Sequence, residues 1–126
     1  LHDALPIWQP AIYVQISEGY SNGQDILTIA NPSNHPNIQA SFSVQFGKLS
    51  IESISSGGLI DYLDIKNALL DVIFKTNSNS TETRKFSITI GEADYLPSKR
   101  SLLQICWISS RHNKNMETIK DWCWIY

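Results

Sequence analysis

From Ala11 to Ser17 apolar and polar positions alternate strictly, with Ile12, Val14 and Ile16 on one face and Tyr13 and Gln15 on the other. A period of two is the mark of a strand with one buried face. Glu18 to Gln24 is turn chemistry, and Asn22-Gly23 can take positive φ. Asp25 to Ala30 alternates again through Leu27 and Ile29. Asn31 to Asn37 carries two prolines and cannot propagate a ladder. Ala40 to Phe46 places Phe42, Val44 and Phe46 on one face. Gly47-Lys48 then turns the chain, and Leu49, Ile51 and Ile54 continue the pattern.

Ser55-Ser56-Gly57-Gly58 breaks the strand, and the period changes. Tyr62, Ile65, Leu69 and Val72 recur at three- and four-residue spacing, which predicts a short amphipathic helix near Asp61 to Leu70. Asp61 stands where an N-cap is wanted. Val72 to Lys75 reads as a strand and Thr76 to Thr83 as a polar loop. Lys85 to Gly91 alternates through Phe86, Ile88 and Ile90. Short strands at regular spacing with a single helix predict an all-β fold, an antiparallel Greek-key β-sandwich. Its expected core is Phe42, Val44, Phe46, Leu49, Ile51, Tyr62, Leu69, Phe74, Phe86, Ile88 and Ile90.

The pattern holds over 11–97 only. Leu1 to Ile7 matches a translation of a common sequencing-adapter end, so 1–10 is expected to be a non-native or linker segment. After Pro97 the alternation dissolves. Both cysteines, Cys106 and Cys123, and three of the four tryptophans lie there. The expectation is that 98–126 is a tail outside the sandwich, read out of frame from near Ser98.

Composition narrows the function. Between Trp8 and Pro97 nine acids oppose five bases, so the domain is acidic. It has no electrostatic footprint for nucleic acid or an anionic membrane. No apolar run approaches the roughly 20 residues of a membrane span. With both cysteines in the tail, disulfide arithmetic does not decide the compartment.

Candidate chemistry is sparse. Glu18, Asn22 and Asp25 flank one turn and are the candidate calcium ligands. Calcium takes about six to eight oxygens, and turn chemistry alone accounts for these three residues. No other cofactor is expected. Asp61 and Asp64 lie three apart on the helix, with Asp71 beyond. A catalytic pair would need a cleft, whereas a solvated helix face needs nothing more. His35 has neither Cys nor a second His near it in the domain, too few ligands for zinc. No catalytic residue is expected. Asn79-Ser80-Thr81 fits a glycosylation acceptor and equally a polar loop. Tyr13 and Tyr20 would serve as sugar-stacking platforms if they faced outward.

The wording Val14-Gln15-Ile16-Ser17, Gly19-Tyr20, Gly23, Asp25 and Leu27 resembles a cadherin-like or immunoglobulin-like repeat of bacterial multidomain surface proteins. So do His35-Pro36-Asn37-Ile38, Gly47-Lys48-Leu49, Val72-Ile73-Phe74 and Phe86-Ser87-Ile88-Thr89-Ile90-Gly91. The likeness runs from about Ala11 to Ser98. One departure is Phe42, where such repeats usually carry Trp. In secreted, adhesin-like members this repeat precedes a C-type-lectin-like domain, often with a type IX sorting domain at the far C-terminus. Asp94-Tyr95-Leu96-Pro97-Ser98 resembles the wording at that junction. A permitted coding from Arg100, shifted by one base, opens Gly-His-Tyr-Tyr-Lys-Tyr-Val-Gly-Tyr, similar to the start of such a lectin-like domain. The resemblance implies an extracellular or cell-surface, non-catalytic adhesion module. Its partners would be neighbouring domains of its own polypeptide, with glycans reached through the lectin-like domain. The rival readings are a glycan- or calcium-binding module and an accessory domain of a secreted polysaccharide-degrading enzyme.

Overall fold

The computed structural model describes residues 8–55, 57–79, 82–91, 101–108 and 117–118. Leu1 to Ile7, the Asp94 to Ser98 junction, Ser80-Thr81 of the acceptor motif, and Trp122, Cys123 and Trp124 lie outside them.

The fold is an all-β sandwich. Its larger sheet has five strands in the order β4 (Ile38–Ser43), β5 (Lys48–Ser53), β2 (Ala11–Glu18), β8 (Arg84–Ile90) and β9 (Ser101–Ile108). The smaller runs β10 (Glu117–Thr118), β7 (Val72–Thr76), β3 (Asp25–Ile29). A short ribbon pairs β1 (Trp8–Gln9) with β6 (Ile60–Asp61), which leads into helix α1 (Tyr62–Leu70). Every pairing is antiparallel.

Register follows the alternation read from the sequence. Ile12 faces Ile51 and Ile90 across its two neighbours, and Val14 faces Leu49 and Ile88. These side chains meet Leu27, Ile29, Val72 and Phe74 of the other sheet in one continuous core. Helix α1 adds Ile65, Ala68 and Leu69, the three- and four-residue stripe of an amphipathic helix. Asp61 occupies the N-cap position in extended conformation, but its side chain makes no capping bond.

Two members of the expected core are not in it. Val44 and Phe46 are about half exposed, at 52% and 55%. Strand β4 ends at Ser43, because Gly47 (φ 63°) closes a tight turn whose N–H donates to the Ser43 carbonyl at 2.8 Å. Val44 and Phe46 ride that turn rather than the sheet. Phe42 and Tyr62 are half-buried and pack against the core; the other seven expected core residues are buried.

Trp8 and Gln9, placed in the leading segment, pair with Asp61 and Ile60. Ser101–Ile108, placed outside the sandwich, runs along β8 as a fifth strand. The open edge of β8 accounts for this, since Cys106 falls opposite Phe86 and joins the core. Glu117–Thr118 pairs with β7. The remainder of 98–126 lies outside the described residues.

Gly19 sits where β2 meets the following turn, at φ 77°. A Cβ there would stand 2.5 Å from the Thr83 carbonyl oxygen. That carbonyl is backbone and leads directly into β8, so it cannot swing aside. Left-handed strain and overpacking together predict that Gly19→Ala loses about 2–4 kcal/mol. Urea denaturation checks this, and a loss under about 1 kcal/mol, the level of ordinary substitutions, would contradict it.

Candidate functional site

The chemistry-bearing side chains fall into three groups. The first lies at the end of the sandwich where β3 begins. Asp25 and Arg84 sit on the inward phase of facing strands, and both side chains are wholly buried. The Arg84 Nε and one terminal nitrogen donate to the two Asp25 oxygens at 3.0 Å each, a bidentate pair. Ser21 N–H donates to Asp25 Oδ2 at 2.9 Å, and the Thr76 hydroxyl donates to Oδ1. The remaining Arg84 nitrogen donates to the Glu82 carbonyl at 2.8 Å. Both charges are thus surrounded by partners, which buried ions require.

The Asp25 carboxylate is therefore spent on Arg84, while Asn22 is exposed in the turn. Glu18 reaches Lys85 at 3.0 Å. Two of the three candidate calcium ligands, Asp25 and Glu18, are thus engaged with cationic side chains. Among the described residues no three His, Cys, Asp or Glu side chains cluster to hold a metal.

The second group ties a loop to the helix. His35 Nε2 lies 2.7 Å from Asp71 Oδ2, with the His35 side chain only 7% exposed. Asp71 caps the end of α1, and its carbonyl accepts from Ala30 N–H at 2.8 Å. His35 and Asp71 thus join the Pro32–Asn34 turn, the end of β3 and the helix.

The third group is open to solvent. A groove of about 350 Å³ lies between the β5 exit and the start of α1. Asn37, Ser53, Ser55, Asp61 and Asp64 supply its polar lining, and the buried Ile60 side chain is its floor. Ile54 and Leu59, each more than half exposed, also line it. Asn37 Nδ2 donates to Asp64 Oδ2 at 3.2 Å. Two carboxylates, an amide and two hydroxyls suit a neutral polyhydroxylated ligand or a cation and disfavour an anion. The helix reading put Asp61 and Asp64 together. Asn37, 27 positions away from Asp64, is added by the fold alone.

Neither tyrosine offers a sugar platform. Tyr13 is buried, with the Lys48 ammonium 5.2 Å from its ring centre. Tyr20 packs edge-on against Phe42 and donates its hydroxyl to the Val44 carbonyl. Burial is the largest influence on its phenol and raises its pKa above the usual 10.0. Asp25 raises it further, against a backbone hydrogen bond from Gly23 that lowers it. The neutral form is the one the fold favours. Its stabilisation is therefore complete below the unfolded pKa of about 10 and is lost as pH climbs through the raised folded value. Ultraviolet titration should show a tyrosine ionising late, and Tyr20→Phe should remove that step. An unchanged titration in the variant would assign the late step elsewhere.

Among the described residues no helix is long and apolar enough to cross a membrane. Compared with models of known families, with curated proteins and with solved structures, the chain finds no match.

Proposed function

We propose that this chain is a non-catalytic, extracellular adhesion-type module, a cadherin-like or immunoglobulin-like repeat that spaces and presents a downstream lectin-like domain. The observation that carries the reading is the use made of its charges. Asp25 and Arg84 pin one sheet to the other, and His35 and Asp71 pin loop to helix. Side chains that would serve chemistry hold the sandwich rigid instead, which is what a spacer requires. Cys106 is disulfide-bonded, and that bond speaks for an oxidising compartment only where 98–126 is read in frame.

Sequencing the gene across Ser98 and onward tests the setting. A lectin-like domain encoded next to this one supports the presenting role. A catalytic domain in that place would favour an accessory module of a polysaccharide-degrading enzyme. An unbroken frame through 98–126 would make the fifth strand and its disulfide native and reject the frameshift.

One observation favours a second reading. The groove beside Asp61 and Asp64 has the hydrogen-bonding set of a saccharide site. A glycan array and calcium calorimetry on the whole chain separate the two. Tight, saturable binding that Asp64→Ala abolishes would replace the spacer by a glycan- or calcium-binding module.

A further inference from the structure

Asn22 is the only asparagine of the chain that precedes a glycine. It lies within the 11–97 pattern, so the reading frame of the tail does not touch it. Asn22 and Gly23 are the central residues of a tight turn, closed by Gln24 N–H donating to the Ser21 carbonyl at 3.0 Å. Asn22, Gly23 and Gln24 are all exposed. Gly23 holds φ 80°, and a Cβ built on it would meet nothing within 4 Å. Among the described residues the Asn22 side chain has no hydrogen-bond partner.

The residues on either side are committed instead. Asp25 N–H donates to the Ser21 carbonyl at 2.9 Å, and Ser21 N–H donates to Asp25 Oδ2 at 2.9 Å. The Ser21 hydroxyl donates to Gln24 Oε1 at 2.6 Å. The turn is thus a solvent-facing tip on a fastened base. That base holds one partner of the buried Asp25–Arg84 pair.

We propose that Asn22-Gly23 is a self-modification site, where the chain deamidates to aspartate and isoaspartate and so loosens the anchor of its own ion pair. The Gly23 backbone nitrogen attacks the Asn22 side-chain carbonyl carbon, and the new C–N bond closes a succinimide ring. The bond from that carbon to the side-chain nitrogen breaks, and ammonia leaves with the Gly23 amide proton. Water, the only co-reactant, then opens the ring at either carbonyl. Opening at the side-chain carbonyl gives aspartate. Opening at the backbone carbonyl gives isoaspartate, with the main chain routed through the former side chain. Adjacency holds the two groups close, and the missing side chain on Gly23 leaves the approach clear. The nitrogen must first swing toward the Asn22 side chain and leave the Tyr20 phenol. For an exposed tip that is a local opening, far cheaper than unfolding. Both products add a negative charge to an acidic domain. Isoaspartate also inserts a carbon into the main chain between Ser21 and Asp25, so the bonds that Ser21 makes to Gln24 and Asp25 cannot all keep their geometry. The site goes beyond the spacer reading and stands whether or not that reading holds.

The experiment ages the whole folded chain at body temperature and mildly alkaline pH, with peptide mapping by mass spectrometry at intervals. The peptide holding Asn22 should gain the mass difference between NH2 and OH and split into aspartate and isoaspartate forms. It should do so ahead of every other asparagine. Asn22→Gln makes the ring larger and its closure slow, and should abolish the change at this position. Gly23→Asp keeps a residue type that tolerates positive φ. It sets a Cβ beside the attacking nitrogen and should slow the reaction several-fold. Asn22→Asp supplies the charge without the extra carbon. The isoaspartate fraction, separated by chromatography, should therefore unfold at a lower urea concentration than Asn22→Asp. An unchanged Asn22 peptide, modification spread evenly over the asparagines, a rate that Gly23→Asp leaves untouched, or an isoaspartate fraction as stable as Asn22→Asp would each overturn the proposal.

Discussion

Arg84→Met, made with Asp25 left in place, is expected to destabilise the sandwich by about 3–5 kcal/mol. The variant strands a wholly buried carboxylate, and neither Ser21 N–H nor the Thr76 hydroxyl carries charge to neutralise it. The reverse change, Asp25→Val, should be comparably severe. It leaves a buried guanidinium with one carbonyl acceptor, Glu82, and the face of Phe74 5.8 Å away. The informative variant is the double one. With both charges gone, most of the penalty for an unpaired ion goes too, although Ser21 and Thr76 still lose their acceptor. Urea denaturation of the cycle should show the double variant at least about 2 kcal/mol more stable than the sum of the singles implies. Additive losses would mean that the pair does not act as a unit. Because Asp25 belongs to the smaller sheet and Arg84 to the larger, the same cycle measures how firmly one end of the sandwich is tied.

The ion pair also shows how far the sequence could be read. Strands announce themselves through alternation, and β2, β3, β5, β7 and β8 fall within about a residue or two of where it puts them. Alternation also holds a signal for the pair. Asp25 shares its phase with Leu27 and Ile29, and Arg84 shares its phase with Phe86, Ile88 and Ile90. A charge on the inward phase needs a partner, and two such charges of opposite sign imply each other. The loop reading of Asp25 as a turn residue hid this. The groove was less legible. Asp61 and Asp64 lie close in sequence, whereas Asn37, Ser53 and Ser55 arrive through a loop and a hairpin whose placement only tertiary packing decides. The misplacement of Val44 and Phe46 has another cause. Alternation continues through them, but period two does not register where a turn ends the strand. The turn itself depends on Gly47 and on Tyr20, whose ring leaves no more than 3.0 Å for a Cβ at that glycine.

Phe46 and Phe74 turn that distinction into a measurement. They are the same residue type, and alternation alone assigns both to the core. Phe74 is wholly buried and packs edge-on against Phe86 of the facing sheet, centroids 5.3 Å apart at 77°. Its ring also lies under the Arg84 guanidinium. Phe74→Ala removes the ring from between the two sheets and from beneath a buried charge. The expected loss is about 3–5 kcal/mol. Phe46→Ala removes a ring that is 55% exposed on a turn held by its backbone. The Gly47 N–H to Ser43 bond and the Gln15 bond to the Phe46 carbonyl both survive it. Its expected effect is within about 0.5 kcal/mol. Chemical denaturation of the two variants side by side decides between burial and pattern. Equal losses would restore Phe46 to the core and move the end of β4 beyond Ser43. A large loss at Phe74 alone would place the turn, and with it the end of β4, where the backbone of Gly47 sets it.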